Sequence, residues 1–218
     1  MLEKILELVI EAQVKPQKLI ELEEFLRLKI SEEEAKKNGN ANIFRSVKKY
    51  INRSIKQIPK EYYGIHTKDG MVYATNGYSA FRLNVELKGL GLPEATDFPI
   101  EKIDATFSDV KFNNIEVELP SLKELKAQLK IARANLKAMK KQKYLTGCKL
   151  ADVEEGVIKL KNVSVDIELL VEILEVLGGE NVTCWVAEEK LAPVFLKSHA
   201  GEAILMPLRI ENNSKEVS

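Results

Sequence analysis

An α+β fold built around antiparallel sheet is what this sequence predicts, and three observations carry that expectation. Stretches with apolar residues every three or four positions alternate with short stretches of period two. The strand-like stretches are parted by Lys68-Asp69-Gly70, Asn76-Gly77 and Asn113-Asn114, residues suited to tight reversals and so to antiparallel neighbours. The order is a helix, strands, a basic helical insert, strands, a second helix and three more strands, which reads as a doubled unit.

Of the 218 residues 45% are apolar, enough to bury a core in one large domain or two small ones. Lys plus Arg number 33 and Asp plus Glu 33, so any attraction to nucleic acid depends on local segregation of charge.

Residues 1–37 have a helical and acidic pattern, broken near Val14-Lys15-Pro16 because proline lacks a donor and restricts its predecessor. Leu19, Leu22, Leu26 and Ile30 then recur at helical spacing, and Asn38-Gly39-Asn40 ends the region. Over 44–58, Phe44, Val47, Ile51, Ile55 and Ile58 share one helical face; Arg45, Lys48, Lys49, Arg53 and Lys56 supply the cations of the same segment, and Pro59 stops it. Residues 62–67, 71–75 and 81–87 read as strands, as do 106–112 and 115–119.

Pro120-Ser121 opens a helix to about 143, with Ser121 and Glu124 spaced as a capping box. Leu122, Leu125, Leu129, Ala132, Leu136 and Met139 form an apolar seam, expected to pack against the acidic N-terminal helices, with a dimer contact or a nucleic-acid arm as the alternatives. Beside it run Lys123, Lys126, Lys130, Arg133, Lys137, Lys140, Lys141 and Lys143 against one acid, Glu124. Strands are expected at 148–153 and 157–160, a helix at 166–177 closed by Gly178-Gly179, and strands at 182–187, 193–197 and 203–208. The organisation is then a helical segment 1–42, a main domain 43–210 carrying a helical insert 121–145, and a disordered tail 211–218.

Several function classes fall away. The segment 1–12 mixes charges into its apolar pattern, unlike a signal peptide, and no run approaches the ~18 apolar residues of a membrane span. Cys148 and Cys184 lack partners at metal-ligand spacing, which suits a reduced, cytoplasmic protein. His66 and His199 have no acid and nucleophile arranged around them, and Asp97, Asp104 and Asp109 form no metal motif. Cys184 beside Trp185 reads as core, and Gly89-Leu90-Gly91-Leu92-Pro93 lacks the lysine of a phosphate loop. Neither catalysis nor a cofactor or metal is expected.

Two stretches carry a resemblance. Tyr73-Ala74-Thr75-Asn76-Gly77-Tyr78-Ser79-Ala80-Phe81-Arg82-Leu83 resembles the Ala-Thr-Asp-Gly-x-Arg-Leu hairpin of the bacterial DNA sliding clamp, the beta subunit of DNA polymerase III. Ala203-Ile204-Leu205-Met206-Pro207-Leu208-Arg209-Ile210 is similar to the Met-Pro-Met-Arg-Leu tail of that family. The resemblance implies a clamp-like, duplicated helix-plus-antiparallel-sheet domain, with two helices facing double-stranded DNA and an outer shell of sheet. It implies phosphate contacts from Arg45, Lys48, Lys49, Arg53 and Lys56, to which the basic insert adds Lys130, Arg133 and Lys137. It also implies a peptide-binding role for Met206, Pro207, Leu208 and Arg209, with polymerase or other replication proteins as partners and a homo-oligomer as the assembly. The alternative is a clamp-fold interaction module that self-assembles without DNA.

Overall fold

The computed structural model describes residues 16–55, 57–85, 87, 91–110, 113, 115–141, 147–179 and 181–209. The expected tail 211–218 and the candidate Lys56 lie outside these residues.

The sequence alternation resolves into one antiparallel sheet of seven strands in the order β1-β2-β3-β9-β8-β7-β4. Its strands are β1 (His66–Lys68), β2 (Met71–Thr75), β3 (Ser79–Leu83), β4 (Ile115–Val117), β7 (Thr183–Val186), β8 (Val194–Lys197) and β9 (Gly201–Leu205). A separate hairpin joins β5 (Val157–Leu160) to β6 (Val163–Asp166). At the centre β3 pairs with β9, from Ser79 opposite Leu205 to Leu83 opposite Gly201. Gly201 is required there, since its φ is +155° and a Cβ would stand 2.2 Å from the Arg82 carbonyl oxygen.

Period-two alternation sends successive side chains to opposite faces of the sheet. Val72, Ala74, Phe81, Leu83, Val194, Leu196, Ala203 and Leu205 enter the main core; Tyr73, Ala80, Phe195 and Ile204 enter a smaller one on the other side. Over the main core lie α2 (Ala41–Ser54), α4 (Leu122–Lys140) and α5 (Ile167–Val176), with α5 packed against both α2 and α4. Against α2 lies α1 (Pro16–Lys37), which begins at the proline, where a missing N–H costs nothing. The smaller core is covered by α3 (Ile100–Val110).

Some expectations need correction. Residues 106–110 of the strand expected at 106–112 are the end of α3, because Ile103, Phe107 and Val110 at steps of four and three bury one helical face against the sheet; 111 and 112 lie outside the described residues. Residues 148–153 form a 3-10 turn, Leu150–Asp152, followed by another at Glu154–Gly156, rather than a strand. Gly156 packs there against the Leu150 carbonyl, so closely that a Cβ would collide with it. The strand expected at 62–67 is a 3-10 turn, Lys60–Tyr62, ahead of the shorter β1. Helix α2 stops at Ser54 rather than near Pro59, and the Ser54 hydroxyl donates to the Ile51 carbonyl, 2.7 Å away.

The seam of α4 buries Leu125, Leu129 and Ala132 in the main core, on α5 and the two 3-10 turns. Among the described residues its cations pair with α5 rather than with the N-terminal helical region, because packing of the apolar seam brings Lys126 and Arg133 onto the α5 carboxylates. The capping box is formed: Ser121 Oγ accepts from the Glu124 N–H at 3.2 Å, and the Glu124 carboxylate accepts from the Ser121 N–H at 2.8 Å.

Candidate nucleic-acid interface

The position of α5 between two basic helices follows from complementary spacing. Glu168, Glu172 and Glu175 recur at steps of four and three on α5; Lys49 and Arg53 are four apart on α2; Lys126 and Arg133 are seven apart on α4. When the apolar faces pack, these rows come into register. Glu175 accepts from Lys49 Nζ at 2.7 Å and from Lys126 Nζ at 2.8 Å, one cation from each side. Glu168 is likewise shared between Arg53, at 3.2 Å, and Arg133. Arg53 also binds Glu172, whose side chain is only 6% exposed.

A groove of about 320 Å³ runs between α2 and α4, with Lys49 and Arg53 on one wall, Lys126, Lys130 and Arg133 on the other, and the three glutamates at its floor. It continues into a space of about 360 Å³ that adds Arg45. These two stretches carry six cations against three carboxylates, so three positive charges remain. The residues lining these two stretches hold no metal cluster or nucleophile with a base. No group of three or more His, Cys, Asp or Glu among the described residues is placed to hold a metal.

The phosphate-contact candidates separate into three kinds. Lys49, Arg53 and Arg133 are tied to α5. Arg45, Lys130 and Lys137 are exposed and, among the described residues, have no ion pair. Lys48 is half-buried toward α1, where burial pushes its ammonium down and the Glu32 carboxylate opposes that shift. Lys126 and the three glutamates were not among the candidates, although the matched four- and seven-residue spacings could have pointed to them.

The C-terminal candidates sit elsewhere. Beyond β9, the Met206 N–H donates to the Tyr78 carbonyl at 2.8 Å and the Leu208 N–H to Ser164 at 2.7 Å. The segment thus crosses from the β2–β3 turn to the β5–β6 hairpin, with Met206 and Arg209 exposed and Pro207 and Leu208 half-buried. Leu208 lines a cleft of about 540 Å³ with Tyr78, Ala151 and Leu169, and this cleft shares Arg53, Glu168 and Glu172 with the groove between α2 and α4.

His66, Asp104 and Cys184 occupy structural positions. His66 stacks on Phe98 with ring centroids 5.2 Å apart. Asp104 pairs with Lys68 at 2.9 Å. Cys184 is buried in β7 and burial pushes its thiol up to about 12. No described helix is long and apolar enough to cross a membrane.

The ion ladder gives a pH dependence. Burial pushes the Glu175 carboxyl up, but the ammoniums of Lys126 and Lys49 outweigh it and hold the group below the usual 4.5. Glu202 is governed in the same way by burial against Arg82 and Lys197. A carboxyl lowered on folding contributes stability that is present above its unfolded value and is lost as pH falls through the folded one. Asp166 acts oppositely, since burial raises its carboxyl above the usual 3.8. The urea midpoint is expected to be level near neutrality and to fall below about pH 4.5. The fall should be shallower in Glu175→Gln; an identical acid limb in that variant would count against the ladder.

Comparison with protein-family models, curated proteins and solved structures found no match to this chain.

Proposed function

We propose that this chain is a non-catalytic, DNA-associated module organised like a domain of the bacterial sliding clamp and serving processivity in DNA replication. One observation supports this above the others: α2 is followed by the meander β1-β2-β3 and α5 by the meander β7-β8-β9, and the third strands of the two meanders pair. Two like halves joined in this way place α2 and α5 side by side on one face of a shared sheet. The two stretches that resemble the clamp family are neighbours in it, since Tyr73–Leu83 spans the β2–β3 hairpin and Ala203–Leu205 lies in β9 beside β3.

Cations on such a face would hold phosphates without reading bases, which permits sliding. A ring of these domains would need several copies; β1 and β4 end the sheet, and at the β1 end Ile65 is already bridged to Glu94. Met206 to Arg209 would serve as the docking segment for a polymerase or another replication protein.

A second function, a clamp-fold module that assembles with copies of itself and holds no DNA, is favoured by the neutralisation of Lys49, Arg53 and Arg133. Anisotropy of labelled duplex DNA, titrated at salt from about 50 to 200 mM, tests the two. The DNA-associated function requires affinity that falls linearly in log–log form, by roughly 0.9 per phosphate contact. Self-association in sedimentation with no duplex binding at the lowest salt would establish the second function instead.

A further inference from the structure

The cations of α4 form two rows. Lys126, Arg133 and Lys140 lie seven apart, next to the apolar seam; Lys123, Lys130 and Lys137 also lie seven apart, about 60° further round. Sevenfold spacing drifts only about 20° per step on a helix, so each row keeps one bearing. Two members of the inner row are held by α5, Lys126 through Glu175 and Arg133 through Glu168. The outer row is exposed and has no ion pair among the described residues. It extends about 21 Å.

On the other flank of α5, Lys49 and Arg53 are consumed in the same way, while Arg45 is exposed and has no ion pair among the described residues. Glu168 and Glu175 each face a cation on both sides and Glu172 is buried on Arg53, so the α5 carboxylates are matched by cations, although Glu168 stays about a third exposed.

We propose that Lys123, Lys130 and Lys137 of α4 form the second DNA-facing wall opposite α2, in place of α5, whose glutamates act as internal counterions fixing the two basic helices. This rests on the DNA-associated function proposed above and names its contact surface. The occupant is the sugar-phosphate backbone of a duplex. No aromatic side chain lines the groove between α2 and α4, so the groove itself offers a single strand no base-stacking platform. Lysines in a straight row suit regularly spaced phosphates.

The test compares the Lys123→Gln/Lys130→Gln/Lys137→Gln variant with a charge-matched control, Lys60→Gln/Lys102→Gln/Lys190→Gln, in which all three lysines are exposed and lie outside the groove. All six positions are exposed, so folding should survive, and thermal unfolding confirms it for each variant. With labelled duplex DNA at about 100 mM salt, the α4 variant is expected to bind at least about tenfold more weakly, with a salt slope shallower by about 2.7, and the control within about twofold of the parent. If the parent binds DNA and the α4 variant binds equally well, the α4 wall is refuted while the DNA-associated function stands. If the parent fails to bind duplex, or binds poly-glutamate instead, that function falls and the wall falls with it.

Discussion

Arg53→Glu is expected to lower the stability of the protein by about 3 kcal/mol, an effect unlike that of removing an ordinary surface charge. The contact with Glu168 contributes little of this, since both side chains are over a third exposed and such pairs contribute about 0–1 kcal/mol. The larger part comes from Glu172, which is 6% exposed and has Arg53 as its ion-pair partner. Losing the guanidinium leaves a buried carboxylate without compensation, and the new glutamate adds a like charge beside it. Arg53→Met/Glu172→Met should recover most of the loss, because an apolar pair removes the stranded charge. Urea unfolding of the parent and both variants measures this, and an Arg53→Glu midpoint equal to the parent's would refute the account. The consequence bears on function: loss of DNA binding in Arg53→Glu would report unfolding as much as a missing phosphate contact, whereas Arg45→Gln changes the same helix without touching the ladder.

Tyr50→Ala is expected to cost about 4 kcal/mol and Tyr50→Phe about 1 kcal/mol. Tyr50 is fully enclosed, and burial pushes its hydroxyl far above the ordinary phenol range. The hydroxyl donates to the Ser79 carbonyl at 2.8 Å, and the ring meets Phe81 edge-on with centroids 5.1 Å apart. Ser79 is itself held by Asn76, whose side-chain oxygen accepts from the Tyr78 and Ser79 N–H groups at 2.9 and 2.8 Å. Tyr50 thus fastens α2 to the β2–β3 turn, and truncation leaves a cavity where helix and sheet meet. Denaturant unfolding separates the ring from the hydroxyl, and equal losses in the two variants would contradict this division. Since α2 carries Arg45, Lys49 and Arg53, Tyr50→Phe should leave duplex binding nearly unchanged.

Much of the fold was legible because its causes are local. Asn76-Gly77 and Lys68-Asp69-Gly70 make reversals that need positive φ, found at Gly77 and at both Asp69 and Gly70, and the hairpins around them follow. The capping box at Ser121 and Glu124 and the glycine stop after α5 are local as well. Where local signals conflict, the outcome depends on which face finds a partner. Residues 106–112 can alternate like a strand, but Ile103, Phe107 and Val110 together cover the outer face of the sheet, and that burial selects helix.

The candidate interface divides along the same line. The charge inventory of each helix was present in the amino-acid order: cations on α2 and α4, carboxylates on α5. Which cations are free was not, because pairing depends on the distance between helices that meet only after the chain folds. Arg45 and Arg53 are equivalent as letters eight apart on one helix, yet one remains open to solvent and the other is bound by two carboxylates. The helices, turns and rows of charge follow from amino-acid order alone, since these arise between residues a few positions apart. That α5 lies between α2 and α4, and so which charges cancel, emerged only on folding, because Coulomb attraction and apolar packing act through space between segments from 35 to 126 residues apart.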